Sequence, residues 1–71
     1  MRVNEFYQSR KNDWETLSHL LDQSQNDMRG LSEMQVRDLA RLYRAVTSDL
    51  ALAKRDFPRN DITAYLNQLV A

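Results

Sequence analysis

Few residues in this chain are able to do chemistry, and their spacing argues against catalysis. His19 is the one histidine, set in Leu17-Ser18-His19-Leu20-Leu21, and the chain has no cysteine. Zinc requires about four ligands, so His19 reads as a surface or half-buried helix residue. The serines at 9, 18, 24, 32 and 48 stand in no Gly-x-Ser-x-Gly context. With one glycine, a glycine-rich phosphate loop is excluded. Asp49 and Asp56 lie at helical spacing, but no base, nucleophile or ligand converges with them, so they read as a solvated face. No catalytic, metal-binding or cofactor-binding residue is expected.

Two other constellations point to binding. Arg37, Arg41 and Arg44 share one helical stripe. From Arg37 onward there are 6 basic and 4 acidic residues, and before it 4 and 6. The plain reading is a solvated face with pairs such as Glu33–Arg37 and Asp38–Arg41. The sharper one is a contact surface for an acidic partner or lipid headgroups. Tyr43 and Tyr65 sit on apolar faces, where a buried hydroxyl needs a partner. Asn67 lies between Leu66 and Leu69, a poor helix-interior residue that either faces water or bonds across to Asp49 or Arg44. Tyr43, Asp49, Tyr65 and Asn67 are therefore the candidate polar contacts between helices.

These residues need a scaffold. The 71-residue chain makes one domain at most, with no disulfide to brace it. Such a chain buries only roughly 60% of its unfolded surface. Its core rarely supplies more than ~3–5 kcal/mol alone, so a covering partner or a longer parent protein is expected to help. Ten basic residues balance ten acidic ones, which gives no strong pull toward nucleic acid or anionic membrane. The longest uninterrupted apolar run is Leu50-Ala51-Leu52-Ala53, far short of the ~20 residues that span a bilayer. The first residues lack the apolar core of a secretory signal.

Period-two patterns are absent, and the chain reads as all-α. Asn4 caps a short helix over 4–11. Asn12-Asp13-Trp14-Glu15 resembles a capping box that opens a second helix over 13–25. Gly30, available for positive φ, closes that segment after Asn26 and Asp27. Leu31-Ser32-Glu33-Met34-Gln35-Val36 gives the strongest start signal, with Ser32 as cap, Gln35 closing the box and Leu31 stapled on Val36. The long helix runs over 33–56, about 36 Å at 1.5 Å per residue. Its seam is Val36, Leu39, Tyr43, Val46, Leu50, Ala53 and Phe57, at alternating steps of three and four, widened by Ala40, Leu42 and Leu52 as a helix facing more than one neighbour requires. Pro58 pushes Phe57 out of the α region. Asn60 or Asp61 caps a last helix over 61–71, which lacks a stop signal and reads as cut at its C-terminus.

The expected fold is a small bundle of three main helices plus a short N-terminal helix. Its core would be Phe6, Trp14, Leu17, Leu21, Leu39, Tyr43, Val46, Leu50, Phe57, Ile62, Leu66 and Leu69.

The order of several pieces carries a resemblance. Phe6, Arg10, Trp14-Glu15, Leu17, Leu21, Leu31-Ser32, then Leu42-Tyr43-Arg44 with Ser48-Asp49-Leu50-Ala51, then Tyr65-Leu66-Asn67 with Leu69-Val70, resemble the N-terminal part of larger proteins of the stage II sporulation protein M family. That family consists of integral membrane proteins, and in it the last helix continues toward several transmembrane helices. The resemblance implies a cell-membrane protein whose N-terminal domain lies on the cytoplasmic face. It implies as partners the transmembrane remainder of the chain and a protein at the membrane. The short sporulation members have little of this segment, so their engulfment role does not transfer to it.

The expectation is a non-catalytic interaction or scaffold domain of such a protein, linked to cell-envelope or membrane remodelling. Its alternative is a free-standing, self-associating helical adaptor. A small DNA-binding regulator ranks below both, because the longest helix carries a core seam along its whole length.

Overall fold

The computed structural model describes residues 1–25 and 28–71. Among them are three α-helices and no strand: α1 (Val3–Ser24), α2 (Glu33–Asp56) and α3 (Asp61–Leu69), with a 3₁₀ turn at Met28–Gly30. This is the all-α bundle expected, corrected first in its helix count. The short helix and the second helix are a single α1. Asn12 does not cap, and its carbonyl instead accepts a bond from the Thr16 hydroxyl at 2.9 Å.

The reason lies in what a break would cost. A new start at Asn12 would leave a further set of early N–H groups without helical partners. Asn in a helix interior costs only ~0.5–0.7 kcal/mol relative to Ala. The continuous helix also keeps Phe6, Arg10, Trp14 and Leu17 on one face. The start is corrected as well: α1 begins at Val3, Arg2 occupies the cap position without a side-chain bond, and Asn4 lies within the first turn.

α2 has the expected bounds, because both of its ends are written locally. The Gln35 N–H donates to Ser32 Oγ at 3.1 Å, and the Ser32 N–H donates to Gln35 Oε1 at 2.9 Å. At the other end Phe57 leaves the helical region, with φ −134° and ψ 52°. It stands one residue before Pro58, whose ring disfavours the α conformation there. Asn60 caps α3 by accepting the Ile62 N–H at 2.9 Å. Gly30 does not take a positive φ, contrary to expectation. Asn26 and Asp27, the rest of that expected stop, lie outside the described residues.

Cross-links give the topology. Arg10 pairs with Asp49 while Gln23 bonds Gln35, so α1 and α2 run antiparallel. Tyr43 bonds Val70 and Thr63 bonds Ala53, so α3 returns antiparallel to α2. The molecule measures 38 × 19 × 14 Å. Its long axis is close to the ~36 Å length of α2.

The core is Phe6, Trp14, Leu17, Leu20, Leu31, Leu42, Val46, Leu50, Ala53 and Leu66. Burying each large side chain of this set contributes roughly 1.5–3 kcal/mol. Leu21, Leu39, Phe57, Ile62 and Leu69 are partly buried against it. Tyr43 and Val36 are corrections to the expected seam, exposed at 40% and 39%. Leu42 takes the inward position instead, because α2 must face α1 and α3 together and its apolar stripe is wider than one seam. Thr63 is buried too, and its hydroxyl donates to the Phe57 carbonyl at 2.6 Å, tying α3 to the end of α2.

Candidate interaction surface

Trp14 is the joint of the bundle. Its ring lies 5.4 Å from Phe6 and 6.3 Å from Tyr65, centroid to centroid. Phe6 in turn lies 5.9 Å from Phe57, so all three helical segments meet in one aromatic cluster. The buried indole N–H donates to Asp49 Oδ2 at 2.9 Å, and Arg10 Nε donates to the same oxygen at 2.8 Å. Arg10 also pairs with Asp13 at 2.8 Å. Partial burial works against the Arg10 charge, but the hydrogen bond and charge of Asp49, with Asp13 behind them, outweigh it and raise its pKa.

Asp49 is therefore an inter-helix contact, as expected, but toward α1. It is the anchor of the network and leaves no carboxylate pair facing a cleft, since Asp56 bonds its neighbour Arg55 at 3.0 Å. Sequence reasoning did not foresee Arg10 and the Trp14 indole as its partners. The signal was present in the i, i+4 spacing of Arg10 and Trp14, hidden by the assumed break between them.

Tyr43 makes the second inter-helix contact, its hydroxyl donating to the Val70 carbonyl at 2.8 Å. This bond holds the end of α3, whose last helical residue is Leu69. Tyr65 is 41% exposed and packs beside Trp14. Burial of its hydroxyl, then the charge of Glu15 and the nearby Tyr7, raise its pKa. Asn67 is exposed and lies on the rim of a polar hollow with Lys54 and Arg59, so the expected bond to Asp49 or Arg44 is not made.

Of the basic stripe, Arg37 pairs with Glu33 at 2.9 Å and Arg41 with Asp38 at 3.7 Å, both exposed. Arg44 has no carboxylate within ion-pairing distance among the described residues. It borders a groove of about 590 Å³ lined otherwise by Leu21, Val36, Leu39, Ala40 and Tyr43. The wall is mostly apolar and the rim cationic. The same α2 residues that failed to enter the core, Val36 and Tyr43, form it. His19 is exposed, and no group of three or more metal-ligating side chains converges among the described residues. No helix among them is long and apolar enough to cross a membrane.

The fold and this surface define a small antiparallel helical bundle with one outer helix face unfilled. The chain belongs to the family described as Domain of unknown function (DUF8413), whose profile matches residues 4–71. No match was found among curated proteins or among solved structures.

Proposed function

We propose that this chain is a non-catalytic interaction domain whose working surface is the outer face of α2. The observation that carries the reading is the apolar groove of Leu21, Val36, Leu39, Ala40 and Tyr43 with Arg44 on its edge. Every inward polar group named above has a structural partner. This face, by contrast, has apolar area left over, and a cation without an ion-pair partner among the described residues. Exposed apolar patches rimmed by polar residues are a common mark of interaction sites. Arg37 and Arg41 share the α2 stripe of Arg44 without lining the groove, and their exposed pairs are weak enough, at ~0–1 kcal/mol, to be exchanged for a partner's acids.

The resemblance in Leu42-Tyr43-Arg44 and Tyr65-Leu66-Asn67 to the stage II sporulation protein M family supports a setting for this domain. In that reading it heads a multi-span protein of the cell membrane, on the cytoplasmic side, and serves cell-envelope or membrane remodelling as a scaffold. Its partners are then the membrane-spanning part of its own chain and a protein at the membrane.

The test is charge reversal of Arg37, Arg41 and Arg44 together to Glu in the native host. Loss of partner capture and of function, with the helical circular dichroism unchanged, is expected. Unchanged capture and function would overturn the reading.

A second reading has one observation in its favour. Val36 and Tyr43 are at seam spacing on α2 and exposed, which suits pairing with a second copy across the same groove. Sedimentation across a concentration series decides it: a tight dimer favours self-association, and a monomer throughout removes it.

A further inference from the structure

Another hollow lies between α1 and α3 and shares no lining residue with the α2 groove. Its volume is about 390 Å³. The side chains of Tyr7, Trp14 and Tyr65 line it, with Tyr7 and Tyr65 exposed at 38% and 41%. Both tyrosine rings lie close to Trp14, at 6.1 and 6.3 Å between centroids, tilted by 53° and 51°. The indole cannot turn away, because its N–H is held by Asp49. Two carboxylates, Glu15 and Asp61, also line the hollow, against one cation, Lys11.

Aromatic faces attract cations through the ring quadrupole. The chain already shows this: Lys11 Nζ stands 5.8 Å from the centroid of the Tyr7 ring. A lysine on the same helix is a poor occupant, being a compact and strongly hydrated charge. A guanidinium is planar, more weakly hydrated, stacks on aromatic faces and binds carboxylates through a fork of N–H donors. Ile62 adds an apolar wall against which a three-methylene stem can lie. The hollow has room beyond a small ammonium group.

From this juxtaposition of Tyr7, Tyr65, Glu15 and Asp61 around a buried Trp14, we infer that the hollow receives an arginine side chain from a partner polypeptide. Tyr7 and Tyr65 stack on the guanidinium, Glu15 and Asp61 accept its N–H groups, and Lys11 is the internal cation it displaces. The inference is independent of the α2 face, and its experiment reads this site alone.

Trp14 is the only tryptophan, so its fluorescence reports on the hollow directly. The probe is Nα-acetyl-arginine N-methylamide, titrated beside its neutral citrulline counterpart and tetramethylammonium. The arginine probe should give a saturable change with a dissociation constant on the order of 1 mM, as expected for a ligand of this size. Citrulline should bind at least ~10-fold more weakly, having lost the charge-assisted bonds. The double variant Glu15→Gln, Asp61→Asn should weaken the arginine probe ~5-fold or more. Lys11→Met should tighten it several-fold, a gain that a purely structural role for Lys11 would not produce. These are rim substitutions, and circular dichroism checks that each variant folds. Equal binding of citrulline, no saturation, stronger binding of tetramethylammonium, or no tightening in Lys11→Met would each overturn the assignment.

Discussion

Trp14 and Asp49, 35 positions apart in the chain, are joined by an indole-to-carboxylate hydrogen bond of 2.9 Å. The same carboxylate oxygen accepts from Arg10, so one acidic side chain on α2 satisfies a buried donor and a half-buried cation on α1. In a domain with so thin a core, this network is a main determinant of how the first two helices are set.

Replacing Asp49 by Ala leaves the indole N–H and the Arg10 guanidinium without their shared acceptor. The expected loss is about 2–3 kcal/mol. The melting temperature should fall by ~10 °C or more, given ~4–8 °C per kcal/mol in domains of this size. Asp49→Asn keeps an acceptor for the indole but not the charge, and should lose about half as much. Thermal melts of the two variants check the order, and equal, near-zero effects would contradict the network.

Tyr43→Phe removes the bond to the Val70 carbonyl while keeping the ring. The site is exposed, so the loss in global stability should be small, ~0.5–1 kcal/mol. The local effect should be larger. The Val70 amide bonds the Leu66 carbonyl at 3.2 Å. Its hydrogen exchange should speed up relative to amides in mid-α2. Unchanged exchange would mean that the tyrosine does not hold the end of α3.

Gly30 has no positive φ, and a Cβ placed on it meets nothing within 4 Å. Its flexibility therefore costs unfolded-state entropy without a conformational return. Gly30→Ala should stabilise the domain by about 0.4–1 kcal/mol in urea unfolding, with an unchanged slope. Destabilisation would show that the glycine is required.

The raised pKa of Tyr65 gives a pH dependence with a definite sign. Burial, then Glu15 and Tyr7, favour the neutral phenol in the folded state. The unfolded chain therefore ionises first, and the contribution of Tyr65 to stability is complete below the unfolded value of about 10. It is lost as pH rises above that value and through the higher folded value. Tyr65→Phe should reduce the loss of stability in that alkaline range, as read by urea unfolding across it. An identical alkaline stability profile for the variant would contradict the assignment.

The elements whose boundaries carry local chemistry were legible in the sequence. Ser32 with Gln35, Phe57 before Pro58, and Asn60 each fix a helix end through bonds within a few residues. Asn12 misled because a cap-like tetrapeptide is also compatible with uninterrupted helix, and tertiary contacts on both sides of it decide the matter. Tyr43 misled because steps of three and four fit Leu42 and Tyr43 almost equally. Packing chose the residue with no polar atom to bury and left the tyrosine hydroxyl to reach Val70. The Arg10–Asp49–Trp14 network was legible only in part: uninterrupted helix through Asn12 puts Arg10 and Trp14 on one face, but periodicity does not say that this face meets Asp49. The basic stripe was legible as a stripe. Which of its arginines lacks an ion pair among the described residues depends on side-chain geometry, and that residue is Arg44.

The central claim is that the outer face of α2 is the working surface. Its most direct test is site-specific photo-crosslinking in the native host, with the photoreactive residue at Val36 on the groove or at Gln8, an exposed α1 position that lines neither hollow. A discrete crosslinked product is predicted from position 36, lost when Arg37, Arg41 and Arg44 are reversed to Glu, with none from position 8. Equal products from both positions, or a product from position 36 that survives the charge reversal, would contradict the claim.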